Sequence, residues 1–332
     1  MSLNASSTGS PEVLSGPFGS LLNDLHSVST REAFAQERFD WIRDALRAYK
    51  EEGLVDQPVL PTFAAAPRGI RGGRFTDEHL HWNQIAAQLT HEIFQRPAFG
   101  SYAPLLDTSG GDDIAWSLLT QRQERAMRIH TPQMQAQRDA GVLNALGEAF
   151  HDFDEAAGFV KAAVRAGMHN VIASFEPTKR GLPNNALDIA SYDEVAERLR
   201  DLTHGKIDVA IGMNCGNADQ ILEILEGSRR GTFSAVYPNH AVIPHNDLGA
   251  EFRTLGDLNH ERDAEQERRF QELRHLFEIS DHQLSKLVTL GGELDLKYLG
   301  LCCGASPKDT AALAARLRAT TPDAVPLSPL VA

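Results

Sequence analysis

Cysteine is nearly absent: the 332-residue chain holds three, Cys215 and the adjacent pair Cys302 and Cys303. So small and odd a number excludes the disulfide framework of a compact secreted domain. Neighbouring cysteines, moreover, reach bonding geometry only through a distorted peptide. Apolar runs long enough to cross a bilayer are missing too, so no membrane is expected as a partner. Basic charge is in deficit, with 32 Lys and Arg against 45 Asp and Glu and a formal net charge of −13. No basic stripe with interleaved aromatics offsets it, and a field of that sign repels nucleic acid. Met1 to Ser10 lacks the basic start and apolar stretch of a secretory signal and reads as a flexible tail over 1–10. Reduced thiols without an export signal point to the cytoplasm.

What is present is globular, with 42% hydrophobic and 23% charged residues, enough for a substantial core. From Val142 onward, short apolar or β-branched runs alternate with amphipathic helical patterns. Strands are expected at Val142 to Leu146, Val171 to Phe175, Ile207 to Met213, Phe233 to Tyr237 and near Leu299. Helix starts stand at Asp152-Phe153-Asp154-Glu155, at the capping box Ser191-Tyr192-Asp193-Glu194, and at Ser306-Pro307-Lys308-Asp309. The last combines an N-cap, a proline at the first helical position and an acidic third residue. Gly167 and Gly227 stop two of the helices.

The N-terminal half supplies three more strand–helix units: a strand near Val13 with helix Arg31 to Tyr49, strand Val59 to Phe63 with helix Thr76 to Phe94, and a strand near Phe99 with helix Asp113 to Arg138. Eight such units close into a (β/α)8 barrel, a TIM barrel of α/β class, expected as a single domain over 11–320 with a C-terminal tail at 321–332. A doubly wound open sheet is the competing architecture, but it needs a glycine-rich turn after its first strand, and Gly16-Pro17-Phe18-Gly19 is a poor one. About sixty residues separate Tyr237 from Leu299, twice the spacing of a repeat. A charged helical insertion between strands seven and eight, around 246–285, accounts for the excess; a solvated surface helix is the plainer reading of it.

Each cysteine follows an expected strand: Cys215 comes after Ile207 to Met213, and Cys302 and Cys303 come after Tyr298-Leu299-Gly300-Leu301. A parallel barrel gathers strand ends whatever their separation in sequence, so a three-thiolate metal site is the leading idea. Three thiolates leave a tetrahedral zinc one position short of closed, the arrangement of a catalytic zinc site. Free cysteine as a small buried hydrophobe is the bland alternative, and a metal-free redox pair at Cys302 and Cys303 is a third.

Gly212-Met213-Asn214-Cys215, then Tyr237-Pro238-Asn239, then Gly300-Leu301-Cys302-Cys303-Gly304 with Pro307 beyond, together resemble the homocysteine S-methyltransferase family. The resemblance implies one zinc per chain, held by Cys215, Cys302 and Cys303. Upstream, Gly147-Glu148-Ala149-Phe150 is similar to the segment whose glutamate holds the amino group of homocysteine, Ser174-Phe175 matches the fifth-strand ending, and Pro61-Thr62-Phe63 matches the second strand. Glu148 is thereby implied as an acceptor for the substrate ammonium, with backbone N–H groups around Gly16 and Thr62 for its carboxylate. Asn214 and Asn239 are expected either to steady the thiolates or to serve as turn residues. The sequence departs from the family at its first strand, where Ser15-Gly16-Pro17-Phe18-Gly19-Ser20 replaces an aspartate and a glycine-rich turn.

The implied activity is transfer of a methyl group from a cationic donor, S-methylmethionine or S-adenosylmethionine, to the zinc-bound thiolate of homocysteine, giving methionine. The partners are therefore a small thiol and a small cation. A different thiol or seleno acceptor, a betaine-like donor resting on aromatic faces such as Phe18, Phe63 or Tyr237, and a zinc-binding barrel without catalysis are the alternatives.

Overall fold

In the computed structural model the described residues are 10–15, 30–52, 55–63, 65, 75–105, 121–178, 181–184, 186, 188–240 and 278–320. Gly16, the turn after it, most of the 246–285 insertion and the 321–332 tail lie outside them.

Seven strands form one parallel sheet: β1 (Glu12–Val13), β2 (Phe99–Tyr102), β3 (Asn144–Phe150), β4 (Asn170–Phe175), β5 (Asp208–Asn214), β6 (Phe233–Tyr237) and β7 (Tyr298–Leu299). Their order is β1-β7-β6-β5-β4-β3-β2, so the first strand pairs with the last and the sheet curls round. The helices among the described residues are α1 (Thr30–Ala35), α2 (Phe39–Glu51), α3 (Asp77–Phe94), α4 (Arg122–Asp139), α5 (Phe153–Ala166), α6 (Tyr192–Asp201), α7 (Ala218–Glu226), α8 (Asp281–Glu293) and α9 (Pro307–Thr320). This is a TIM-barrel-like α/β fold.

The second strand, expected at Val59 to Phe63, is present as two parallel bridges, Leu14 to Gln57 and Val59 to Phe99, and not as a ladder. The reason is proline. Pro58 and Pro61 have no N–H to donate, so the segment bonds through what remains: Ser15 N to Gln57 O (3.2 Å), Leu60 N to Phe99 O (2.7 Å) and Phe99 N to Pro58 O (2.9 Å). It joins β1 to β2 and occupies the second position of the ring. The single helix expected over Arg31 to Tyr49 is broken into α1 and α2, with Glu37 between them in the left-handed region at φ 53°.

The expected helix starts hold, because they are local hydrogen-bond chemistry. Asp152 caps α5 by accepting from Glu155 N at 3.1 Å, and Gly167 ends it at φ 75°. At α9, Ser306 N donates to Asp309 Oδ2 (2.7 Å) while Asp309 N donates to Ser306 Oγ (3.4 Å). At α6 the box is displaced: Ser191 Oγ accepts from Glu194 N, but the Glu194 carboxylate takes its bond from Ala190 N.

Alternation along the strands sorts side chains into two sets. Leu14, Phe99, Leu146, Ile172, Ala210 and Ala235 pack with one another inside the ring. Ala145, Val171, Phe175, Ile211, Met213 and Val236 pack outward with apolar faces of the helices. Each such large side chain taken out of water is worth about 1.5–3 kcal/mol. A residue's place in this alternation fixes whether it can reach the barrel mouth.

Candidate metal centre

Cys215 follows β5 directly, and Cys302 and Cys303 follow β7 after Gly300 and Leu301. With β6 lying between those strands, the curl of the sheet brings sequence positions 87 apart to one mouth. Cys215 Sγ stands 3.0 Å from Cys302 Sγ, Cys302 Sγ stands 3.8 Å from Cys303 Sγ, and all three sulfurs lie within 4.8 Å of one another. All are free cysteines, and these separations exceed the roughly 2.05 Å of a disulfide. A tetrahedral ion with metal–sulfur bonds of about 2.3 Å, as for zinc, sets its ligand sulfurs about 3.8 Å apart. The three sulfurs are close enough to share one such ion, with the Cys215–Cys302 pair needing to open by about 0.8 Å.

The backbone aims them. Cys215 adopts φ 57°, the left-handed conformation that turns the chain abruptly out of β5. Gly216 comes next, where a Cβ would lie 2.4 Å from Pro177 Cγ; only glycine lets the loops after β4 and β5 approach so closely. On the other side Cys302 N donates to Pro238 O (2.7 Å), and His240 N donates to Cys303 O (3.0 Å). The cysteine pair is thus strapped to the Tyr237-Pro238-Asn239-His240 segment. His240 Nε2 in turn lies 3.3 Å from Asp309 Oδ1. Burial alone would raise the Asp309 carboxyl, but hydrogen bonds from His240 and Ser306 hold it well below its ordinary value.

Both asparagines are engaged. Asn214 donates from Nδ2 to Cys215 Sγ at 3.1 Å and accepts at Oδ1 from Ala149 N at 2.9 Å. Asn239 donates from Nδ2 to Cys215 O at 2.6 Å, and its own N–H bonds Gly216 O. Asn214 therefore contacts a sulfur, while Asn239 fixes the main chain that carries it. The Ala149 N–H is free for Asn214 because β3 bulges there: the four residues from Gly147 to Phe150 match the three from Ala173 to Phe175, with Ala149 at φ 57°. Such bulges re-aim a side chain. Here the re-aimed side chain is Glu148, whose carboxylate accepts from Ser101 Oγ of β2. Burial, and then the negative charge of Cys303, push Glu148 up to about 7 against the pull of that hydrogen bond.

The sulfurs also perturb one another. Hydrogen bonds to Cys302 and Cys303, followed by burial, drive the Cys215 thiol well up. The Cys215 hydrogen bond favours a Cys302 thiolate, but the bond with Cys303 and burial outweigh it, and Cys302 also rises. Cys303 receives hydrogen bonds from both and falls well below its ordinary range.

Thr62 sits deeper. Its N–H closes a turn onto Leu60 O (2.8 Å), its hydroxyl donates to Ser101 O (2.9 Å), and Gln137 Nε2 donates to that hydroxyl (2.9 Å). The Thr62 N–H is thus already bonded within the barrel wall. Ser15, where the family has aspartate, accepts from Val59 N at 2.9 Å and so helps to join β1 to the proline-interrupted segment.

Glu176 was not singled out from the sequence. It lies one residue past β4, where alternation from Ile172 through Ser174 sends it to the mouth, and that two-residue period was the available signal. Its carboxylate lies 3.1 Å from His151 Nε2. Burial, and then the Cys303 charge, raise it to about 7.

No helix among the described residues is long and apolar enough to cross a membrane. No curated protein is significantly similar in sequence. Among solved structures, the metallated form of the homocysteine methyltransferase MmuM from Escherichia coli superposes with a TM-score of 0.61 at 17% identity, over 93% of this chain and 97% of that one. Its apo form gives 0.57 at 14% identity (93% and 96%), and its oxidised form gives 0.57 at 18% (92% and 96%). These likenesses establish the fold. The family model described as homocysteine S-methyltransferase matches residues 12–317. The chain belongs to the homocysteine S-methyltransferase family.

Proposed function

We propose that this enzyme transfers a methyl group from a sulfonium donor, S-methylmethionine or S-adenosylmethionine, to homocysteine, with one zinc ion held by Cys215, Cys302 and Cys303. The convergence of three sulfurs within 4.8 Å at the mouth carries the reading. When bound, zinc would stabilise the homocysteine thiolate at neutral pH, where a free alkyl thiol near pKa 8.5 is mostly protonated.

This chain's residues do the rest. Asn214 donates to Cys215 Sγ and so steadies one ligand, while Asn239 holds the Cys215 carbonyl. Glu148, presented by the β3 bulge, accepts hydrogen bonds from the ammonium of homocysteine. A cation there also returns the raised carboxyl to its ionised form. N–H groups around Gly16, which is outside the described residues, are assigned to the substrate carboxylate, while Thr62, its own N–H bonded to Leu60 O, serves the barrel wall instead. A new bond forms between the homocysteine sulfur and the methyl carbon, and the old carbon–sulfur bond breaks with its electron pair going to the donor sulfur. The donor leaves as a neutral thioether, the thiol proton goes to solvent, and no general acid is needed. Holding both reactants at one mouth supplies the orientation. The cytoplasm is the compartment that keeps three such thiols reduced.

A second reading, another thiol or seleno acceptor, is favoured by Ser15, which is occupied in the barrel wall and carries no charge. Metal analysis and methyl transfer, measured on wild type and Cys215→Ala, test the principal reading. Wild type is expected to hold about one zinc per chain and to form methionine from S-methylmethionine and homocysteine. Losing one of three ligands should cut zinc affinity at least 10–100-fold and abolish turnover. A variant as active as wild type refutes the assignment; transfer to selenohomocysteine or another thiol in preference to homocysteine selects the second reading.

A further inference from the structure

The chemistry proposed above brings two cations to one mouth, the ammonium of the acceptor and the onium centre of the donor, and Glu148 serves only the first. Among the described residues, the carboxylates shifted by the Cys303 charge are Glu148 and Glu176. They come from adjacent strands but are held differently. Glu148 is bound towards β2 by Ser101, whereas Glu176 is held by the chain that follows β3 and lies one residue beyond the β4–β5 ladder. Phe175 pairs with Met213, so Glu176 and Asn214 occupy the next rung. Pro177, immediately after, packs on Gly216. The backbone following Glu176 therefore lies against the backbone following Cys215.

Glu176 is also fixed in orientation. Its N–H bonds Phe150 O at 3.1 Å, and its carboxylate meets His151 Nε2 at 3.1 Å, with the two side chains 31% and 17% exposed. His151 is anchored through its carbonyl, which accepts from Asn184 N at 2.7 Å. The contact with the His151 ring orients the carboxylate. No substrate atom is assigned to Glu176 by the methyl-transfer reading, and a cation bound beside its raised carboxyl would favour the ionised form.

Resting on that reading, we propose that Glu176, oriented by His151, recognises the positive charge of the methyl donor and makes the enzyme selective for cationic donors. The charge is lost once the methyl group has moved, so the same contact favours release of the neutral thioether. Glu176 is then a specificity-determining residue, and His151 is a positioning residue acting through it.

The zinc-loaded enzyme tests this with S-methylmethionine as the probe. Glu176→Gln keeps the shape and removes the charge. The KM for S-methylmethionine, and its Kd measured calorimetrically without homocysteine, are expected to rise about tenfold, equivalent to about 1.4 kcal/mol. Homocysteine KM and zinc content should stay within twofold. Glu176→Asp should recover part of the loss, and His151→Gln, which leaves the charge but loosens it, should raise donor KM about threefold. The proposal is overturned if Glu176→Gln leaves donor KM and Kd unchanged, or if homocysteine KM moves instead. Wild type that neither binds nor uses a sulfonium would sink the methyl-transfer reading along with it, an outcome the variants alone cannot produce.

Discussion

The two arcs of the barrel are held by different forces. From β3 to β6 neighbouring strands run side by side with near-continuous backbone ladders, and the outward side chains are apolar. From β1 through residues 57–60 to β2 the ladder is cut by proline, and buried side chains take its place. Gln137 of α4 is the hub: its Nε2 donates to Thr62 Oγ1 and to Asn83 Oδ1 (2.7 Å), and its Oε1 accepts from Tyr102 O–H (2.6 Å). Gln133, one turn earlier, donates to Thr62 O at 3.0 Å. The regular arc carries Glu148, Glu176 and Cys215, while Ser101 of β2, where the stitched arc ends, holds Glu148 from the neighbouring strand. Main-chain pairing tolerates side-chain change; a buried polar network does not, because each deletion orphans several partners.

That contrast breaks most readily at Gln137. Gln137→Leu preserves bulk but strands three buried groups, Thr62, Asn83 and Tyr102, and should cost about 3 kcal/mol in urea unfolding. A loss below about 1 kcal/mol would mean that the network is ornamental and that packing closes the seam.

The regular arc should answer in the opposite way, giving up function before stability. Glu148→Gln is expected to lower kcat/KM for homocysteine about 100-fold by removing the charge that meets its ammonium. The carboxyl is raised from 4.5 to about 7, so ionising it costs stability. That cost is absent below the ordinary glutamate range, grows as pH climbs, and is complete above about 7. At pH 8, metal-free Glu148→Gln should therefore melt higher than wild type, with the gap closing toward pH 5. An equal or lower midpoint at pH 8 would show that Glu148 is not under strain.

The smallest effect is expected at Asp309, which supports the cysteine turn through His240. Its lowered carboxyl stabilises the fold above the ordinary aspartate range, and that contribution disappears only as pH falls through the lower folded value. Asp309→Asn should cost about 1 kcal/mol at neutral pH, since the pair is partly exposed to solvent. A wild-type acid transition unchanged by the substitution would remove Asp309 from the account.

The sequence was most legible where structure is local. Asp152, Gly167 and Ser306 act within one helical turn, and their roles follow from their own chemistry. The cysteines were legible because each follows an apolar run and parallel strands bring such ends together. What was hidden required the third dimension. Pro58 and Pro61 argued neither for nor against a strand until the neighbours they bond were known. Gln133 and Gln137, four apart in a polar helix, gave no sign of facing inward. The break at Glu37 divides what reads as one continuous amphipathic pattern. Asn214 was left between two roles because the bulge at Ala149, its other partner, is set by register between strands.

The separation of Cys215 from the cysteine pair has a mechanical meaning as well. A single ion held by both would tie off a loop of 87 residues spanning β6, α8 and the long connection between them. In chain-entropy terms, a clasp on a loop of that length is worth on the order of 4–5 kcal/mol, the figure that applies to a disulfide. Loading the mouth would thus make this side of the molecule harder to unzip, and metal supply would govern how long the polypeptide survives proteolysis as well as what it catalyses.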